Sequence, residues 1–192
     1  MWPWEHVAVA YLAYSLAIRA VAGTPPGGRD TVALVIASQG PDLIDKPLSW
    51  GLGVFPTGYA VGHSVLVAGP IGAGVLALGY WKGRLRVASA VVLGYWSHLA
   101  ADVLSPLRNG DALGFSRVLW PLVTFEGYGT DLGLSRGLTY FLDLVASFGS
   151  MDATTIVVRY LALPSAVLVL WIVDGTPGIR RLKRSSLAVL RR

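Results

Sequence analysis

Apolar runs close to bilayer length alternate along this chain with short polar or Gly- and Pro-rich breaks. The first run, His6 to Ala22, is almost wholly apolar, with Arg19 near its far end. About 17 residues is the low end of what crosses a bilayer, and Arg19 is expected to snorkel toward the nearer headgroups. Gly23-Thr-Pro-Pro-Gly-Gly28 breaks the run. Thr31 to Ser38 is apolar but short, which predicts either a half-span or a span packed inside a bundle. Gln39-Gly40-Pro41 ends it, and Asp42 to Gly58 reads as a Gly- and Pro-rich loop. Tyr59 to Trp81 is long enough to span. Its small residues, Gly62, Gly69, Gly72, Ala73 and Gly74, let helix backbones approach within a membrane, and Pro70 is expected to bend it. Lys82-Gly83-Arg84 then reverses the chain into Leu85–Leu104, about 20 residues and so about 30 Å long.

The stretch from Ser105 to Asp152 is more polar, carrying Arg108, Asp111, Arg117, Glu126, Asp131, Arg136 and Asp143. Within it, Leu138 to Phe148 predicts a helix lying on or re-entering the membrane, while Glu126 and Asp131 read as solvated loop residues. Thr154 to Val173 is the last span, with Arg159 near its start and Pro164 inside it. The reading is an all-α integral membrane bundle of four to five spans, one domain over residues 1–192 with a basic tail from about residue 176. Trp2, Trp4, Tyr95, Trp96 and Trp120 are expected at the membrane interfaces.

Composition agrees with that pattern. Of 192 residues, 54% are hydrophobic and only 14% charged, whereas a soluble domain is about a quarter charged. Without cysteine, disulfides, thiolate zinc sites and cysteine nucleophiles are excluded together. The net charge of +5 does not point to nucleic acid, because six of the sixteen Lys and Arg residues lie from Arg180 onward and Lys82, Arg84 and Arg86 flank one turn. Basic residues beside apolar spans act as cytoplasmic anchors. No basic region precedes the first apolar run, so that segment is expected to be a retained span.

Against this background the polar residues inside apolar runs stand out. His98 and Asp102 are four apart, on one face of a helix, and a histidine and a carboxylate on an apolar face are costly unless paired, solvated or bound to metal. Pro41-Asp-Leu-Ile-Asp45 and Gly62-His63-Ser64 repeat the pattern, and the three histidines are His6, His63 and His98. With the basic turn and tail placed in the cytoplasm, the Tyr59–Trp81 span starts outside. His6, Asp42, Asp45, His63, His98 and Asp102 then all fall near the outer face, provided Thr31–Ser38 crosses. Imidazole with carboxylate suits zinc, manganese or iron(II), with zinc first and manganese second. His6, Asp42, His63, His98 and Asp102 are assigned as ligands, with Asp45 as ligand or general base. Six groups exceed one tetrahedral zinc, so the set suits two metals or one metal with an acid/base carboxylate beside it. Such a metal would make hydroxide available near neutral pH, for hydrolysis of an ester or phosphoester. Ser64 and Ser97 are expected to hydrogen-bond ligands, and no Gly-x-Ser-x-Gly elbow for a serine hydrolase is present. Two other readings use the same residues: a transporter or proton relay without bound metal, and a structural membrane protein whose polar groups lock its helices. Expected partners are membrane lipid and a small-molecule or lipid substrate, without nucleic acid.

In their order, His6, Pro41-Asp42-Leu-Ile-Asp45, Gly62-His63-Ser64, His98-Leu-Ala-Ala-Asp102 and Leu119-Trp120-Pro121 resemble the motifs of the membrane-bound metal-dependent hydrolases, also described as LexA-binding inner-membrane hydrolases. The resemblance covers about residues 1 to 122. It implies a multi-span helical bundle holding a metal on the His and Asp residues just named, and an ester substrate, phosphate- or lipid-related. Three positions depart from the family's pattern. Gly58 lies near the place of a second His, Tyr59 stands where an Arg is common, and Lys46 stands where a His follows two closer carboxylates.

Overall fold

A computed structural model describes residues 1–179, so the basic tail expected from about residue 176 lies almost entirely outside the described residues. Helices α1 (Pro3–Ala22), α2 (Gly28–Ala37), α3 (Gly40–Lys46), α4 (Val65–Trp81), α5 (Leu85–Leu104), α6 (Arg136–Ser147), α7 (Ala153–Ile156) and α8 (Ala162–Val173) follow in order. Short 3-10 and π turns join them, and there is no strand among the described residues. The all-α expectation therefore holds.

The centre of the bundle is α5, against which α1, α2 and α4 all pack. Small residues make this possible. Ala88, Ala90, Gly94 and Ala101 are buried along it, and small side chains let several helix backbones approach one rod. Gly94 is the tightest point: a Cβ there would stand 2.7 Å from the Leu34 carbonyl oxygen of α2. On the outer side of α5, α4 shows the same inversion, burying Ala68, Gly72 and Gly79 while Leu66, Ile71 and Leu78 face out. α8 packs on α1 through Val167 and leaves Leu168, Val169, Ile172 and Val173 exposed.

Two helical stretches, Leu85–Asn109 and Ala153–Val173, are long and apolar enough to cross a membrane. The second is only 6% buried within the protein. A rod of that length and apolarity, almost uncovered by protein, has a surface suited to lipid contact, since in water it would go uncompensated. The interior is correspondingly polar: Glu5, His6, Ser15, Ser38, Asp45, His63, Ser64 and His98 are all at most 1% exposed.

Ion pairs orient the helices. At one end the Arg19 guanidinium of α1 donates to Asp174 just past α8, and Arg86 of α5 donates to Asp30 of α2. Histidines gather at the other end. Arg19 therefore pairs with a buried carboxylate instead of snorkelling to headgroups, and Ser15 and Tyr11, one and two turns earlier, donate to the same carboxylate at 2.7 Å each.

Several boundaries differ from expectation for local reasons. The segment read as a loop from Asp42 begins as helix α3, because Pro41 occupies the first turn, where its missing N–H costs nothing. α2 starts at Gly28, three residues before the apolar run, with Asp30 accepting from the Gly27 N–H. The expected Tyr59–Trp81 span is helical only from Val65, since residues 59–64 leave the helix to deliver backbone N–H groups to Asp45. The expected helix from Leu138 to Phe148 forms as α6, with Leu138, Phe141, Leu142 and Val145 exposed and Phe141 edge-on to Trp2.

Candidate metal centre

Four segments far apart in sequence meet at the end of the bundle opposite Arg19 and Arg86. His6 comes from the first turns of α1, Asp42 and Asp45 from α3, His63 from the 3-10 turn before α4, and His98 and Asp102 from the last turns of α5. The helical spacing of His98 and Asp102 does put them on one face: His98 Nε2 stands 3.6 Å from Asp102 Oδ2. Two overlapping groups, His6/His98/Asp102 and Asp42/His63/His98, each bring one potential ligand atom per residue within 4.8 Å of the others.

The distances from the imidazoles to Asp42 and Asp102 exceed those of ordinary hydrogen bonds, while the Met1 ammonium donates to Asp102 Oδ1 at 3.3 Å. His63 Nε2 lies 3.4 Å from Asp102 Oδ2 and 3.6 Å from Asp42 Oδ1. His98 Nε2 is 3.8 Å from Asp42 Oδ1, and His6 Nε2 is 3.5 Å from Asp102 Oδ1. Hydrogen bonds of this type close to about 3 Å, whereas two donors each about 2.1 Å from a shared tetrahedral cation stand about 3.4 Å apart. The buried Nε2 atoms of His63 and His98 have no hydrogen-bond partner, and neither does Nδ1 of His6. Buried polar atoms left this way cost free energy, and a cation between them would satisfy the two Nε2 atoms. His6 and His98 stack with ring centroids 3.6 Å apart.

Tautomers are set from behind. His98 Nδ1 donates to the Ser38 carbonyl at 2.7 Å, and His63 Nδ1 to Asp45 Oδ2 at 2.8 Å. Each leaves an Nε2 lone pair aimed into the cluster, the arrangement that metal-ligating histidines share. Asp45 also accepts from the backbone N–H groups of Ala60, Gly62 and His63 at 2.8 to 3.0 Å. Its lone pairs are thereby occupied and its side chain is fully buried. Asp45 is placed to orient His63 and the loop carrying it, not to meet a metal or take a substrate proton. Gly62 is required for this: a Cβ there would lie 2.8 Å from the Pro41 carbonyl and 3.0 Å from Asp45 Oδ1.

Asp42 is the most open carboxylate of the set. Oδ1 faces the two imidazoles, while Oδ2 is held by Lys46 Nζ at 2.5 Å, one helical turn on. The ammonium thus stands beside the cluster and neutralises one oxygen of a ligand candidate.

Sequence reasoning missed three groups and misplaced others. Arg117 donates to Ser105 Oγ at 2.8 Å and to the Asp102 carbonyl at 3.3 Å. Its guanidinium lies 5.4 Å from the Tyr59 ring centroid, and that ring in turn packs edge-on to His63. Buried Glu5 binds Arg108 at 2.6 Å beside His6. Tyr95, expected at the membrane interface, hydrogen-bonds the Gly62 carbonyl and clamps the His63 loop. None carries a local sequence signal, because every partner lies well beyond a helical turn, from 12 residues for Arg117 with Ser105 to 103 for Glu5 with Arg108. Neither serine bonds a ligand: Ser64 donates to the Trp120 carbonyl and Ser97 to Gly94 of its own helix. The first contact does bring the Leu119-Trp120-Pro121 motif against the site. Asp131 caps its own loop by accepting from Gly133 N.

One family model, described as YdjM inner membrane protein, matches residues 1–176. No curated protein and no solved structure matches the chain.

Proposed function

The chain belongs to the YdjM inner membrane protein family, and from that premise we propose that it is a multi-pass, metal-dependent hydrolase of an ester or phosphoester. Its site lies near the non-cytoplasmic face. The observation that carries the reading is the convergence of orphaned imidazole nitrogens on the Asp42 and Asp102 carboxylates at distances suited to a shared cation.

The topology follows from charge. Arg19, Lys82, Arg84 and Arg86 share one end of the bundle, which the positive-inside rule assigns to the cytoplasm. α1 then runs inward from His6, α5 runs outward to His98 and Asp102, and α7–α8 runs inward to Asp174. α4 runs inward from His63, while α2, only 10 residues, climbs from the cytoplasmic end to the site without crossing alone. This gives four full crossings and a half-crossing, with α6 at the outer interface.

His6, His63, His98 and Asp102 are the buried ligands, with Asp42 completing the set on its open side. The donor set fits zinc first and manganese second. A divalent cation there would act as a Lewis acid toward the scissile group and the attacking water. Asp45 and the Ser38 carbonyl hold His63 and His98 in the ligating tautomer. Asp42 is the carboxylate of the set with solvent access, its Oδ1 toward the imidazoles and its Oδ2 on Lys46. Arg117, which stacks on Tyr59 next to His63, is the nearby cation that would interact with an anionic substituent of a phosphoester. A proton relay is less well supported, because the titratable groups gather at one end and do not continue through the bundle.

Elemental analysis of detergent-purified protein tests this. Stoichiometric zinc or manganese is expected, lost in the His98→Ala, Asp102→Ala double variant. Wild-type protein that stays metal-free after growth and dialysis with zinc and manganese would overturn the reading.

A further inference from the structure

The end of the bundle opposite the metal centre holds a cavity of about 960 Å³. Arg29, Val32 and Ile36 of α2, Tyr80 of α4, and Arg84 and Arg86 around the following turn line it. Its two sides differ in chemistry. The mouth is cationic, while the wall rising along α2 is apolar, with Ile36 64% exposed. Ile36 lies seven residues on from Arg29 along α2, about 10 Å of rise.

The charge at the mouth is not neutralised by protein. Asp30 and Asp174 are the acids of this end. Asp174 is taken by Arg19, and Asp30 by Arg86, which is also tied to Thr24 Oγ1 and the Pro25 carbonyl. Arg29 and Arg84 have no acidic partner among the described residues. Residues 175–192 contain neither Asp nor Glu, so the rest of the chain offers none either. The tail itself carries six Lys and Arg residues, and like charge argues against its settling in this mouth.

We propose that this groove binds an anionic glycerophospholipid, its phosphate held by Arg29 and Arg84 and one acyl chain lying along Val32 and Ile36. Basic pockets between helices at the cytoplasmic surface take such headgroups, and arginine matches phosphate geometry with two donors at once. A free phosphate would satisfy the mouth but leave the apolar wall uncovered. The proposal uses the membrane orientation above and is independent of the metal and of hydrolysis.

Native mass spectrometry of the full chain in detergent, titrated with phosphatidylglycerol or phosphatidylcholine, tests it. Wild type should retain phosphatidylglycerol and not phosphatidylcholine. Each of Arg29→Gln and Arg84→Gln should weaken retention roughly fivefold, and both together about 30-fold. Lys82→Gln, in the same turn but outside the groove, should leave it unchanged. Metal content and thermal midpoint should stay at wild-type values in all of these, which separates this site from the other. Equal retention of the two lipids would overturn the proposal. So would an effect of Lys82→Gln as large as those of the arginines, since that would make the attraction diffuse. Full displacement of phosphatidylglycerol by millimolar inorganic phosphate would reassign the groove to a soluble anion, and occupation by the tail would show as binding that rises on truncation after residue 179.

Discussion

Asp45→Asn isolates the orienting role of a single oxygen. In the wild type, Oδ2 accepts from Ala60 N, His63 N and His63 Nδ1, while Oδ1 accepts from Gly62 N. An asparagine of the same shape keeps the three bonds of Oδ2 if its amide oxygen takes that place. Its NH2 group then faces the Gly62 N–H, donor against donor, at a position where both are buried. One buried group so left costs about 1–3 kcal/mol, which should appear as a lower thermal midpoint of the metal-free protein. His63 Nδ1 also loses its charged acceptor, so Nε2 becomes a weaker donor. Loss of such a partner typically weakens metal binding about 10- to 100-fold, or about 1.4–2.7 kcal/mol. Competition with a chromophoric chelator reads the affinity, and melting curves with and without metal read the stability. The expected result is a destabilised apo form and a smaller metal-induced rise in midpoint. If Asp45→Asn melts lower yet binds zinc within a factor of two of wild type, Asp45 merely fastens the loop, and His63 is not a ligand.

Three further outcomes follow from contacts elsewhere in the bundle. Burial raises the Asp174 carboxyl, but hydrogen bonds from Tyr11, Arg19 and Ser15 outweigh this and hold it below the usual carboxylate range. With the folded value below the unfolded one of about 4, its stabilisation is present above that pH and fades as pH falls further. Melting curves should therefore show wild type above Asp174→Asn at pH 7, with the gap closing below pH about 4. Tyr11→Phe removes one charged hydrogen bond and should cost about 1.5–3 kcal/mol at pH 7; an unchanged midpoint would refute the clasp between α1 and α8. Gly94→Ala brings a Cβ to 2.7 Å from the Leu34 carbonyl. It should cost about 1–3 kcal/mol by overpacking and loosen metal binding as well, because α2 carries the Ser38 carbonyl that orients His98.

Periodicity and composition were enough to read an all-helical chain with apolar rods, because lipid-facing helices need nearly continuous hydrophobic sequence. They were also enough to single out His98 with Asp102, since residues four apart share a helix face in any packing. The same rarity of imidazole and carboxylate in an apolar chain drew attention to His6, Asp42, Asp45 and His63. Their roles were not readable. Whether Asp45 faces the cluster or turns its lone pairs to the backbone depends on where residues 60–63 fold back, and that is set by Gly62 fitting against Pro41 and by the Tyr95 clamp. Arg19 illustrates the same limit. A lone arginine near the end of an apolar run reads as a headgroup anchor, and only the packing of α8 on α1 brings Asp174 to it from 155 residues away. Local sequence determines what a segment must bury or expose. Which buried polar group meets which is decided only when distant helices close on one another, because hydrogen bonds and ion pairs act over a few ångströms of space and carry no memory of separation along the chain.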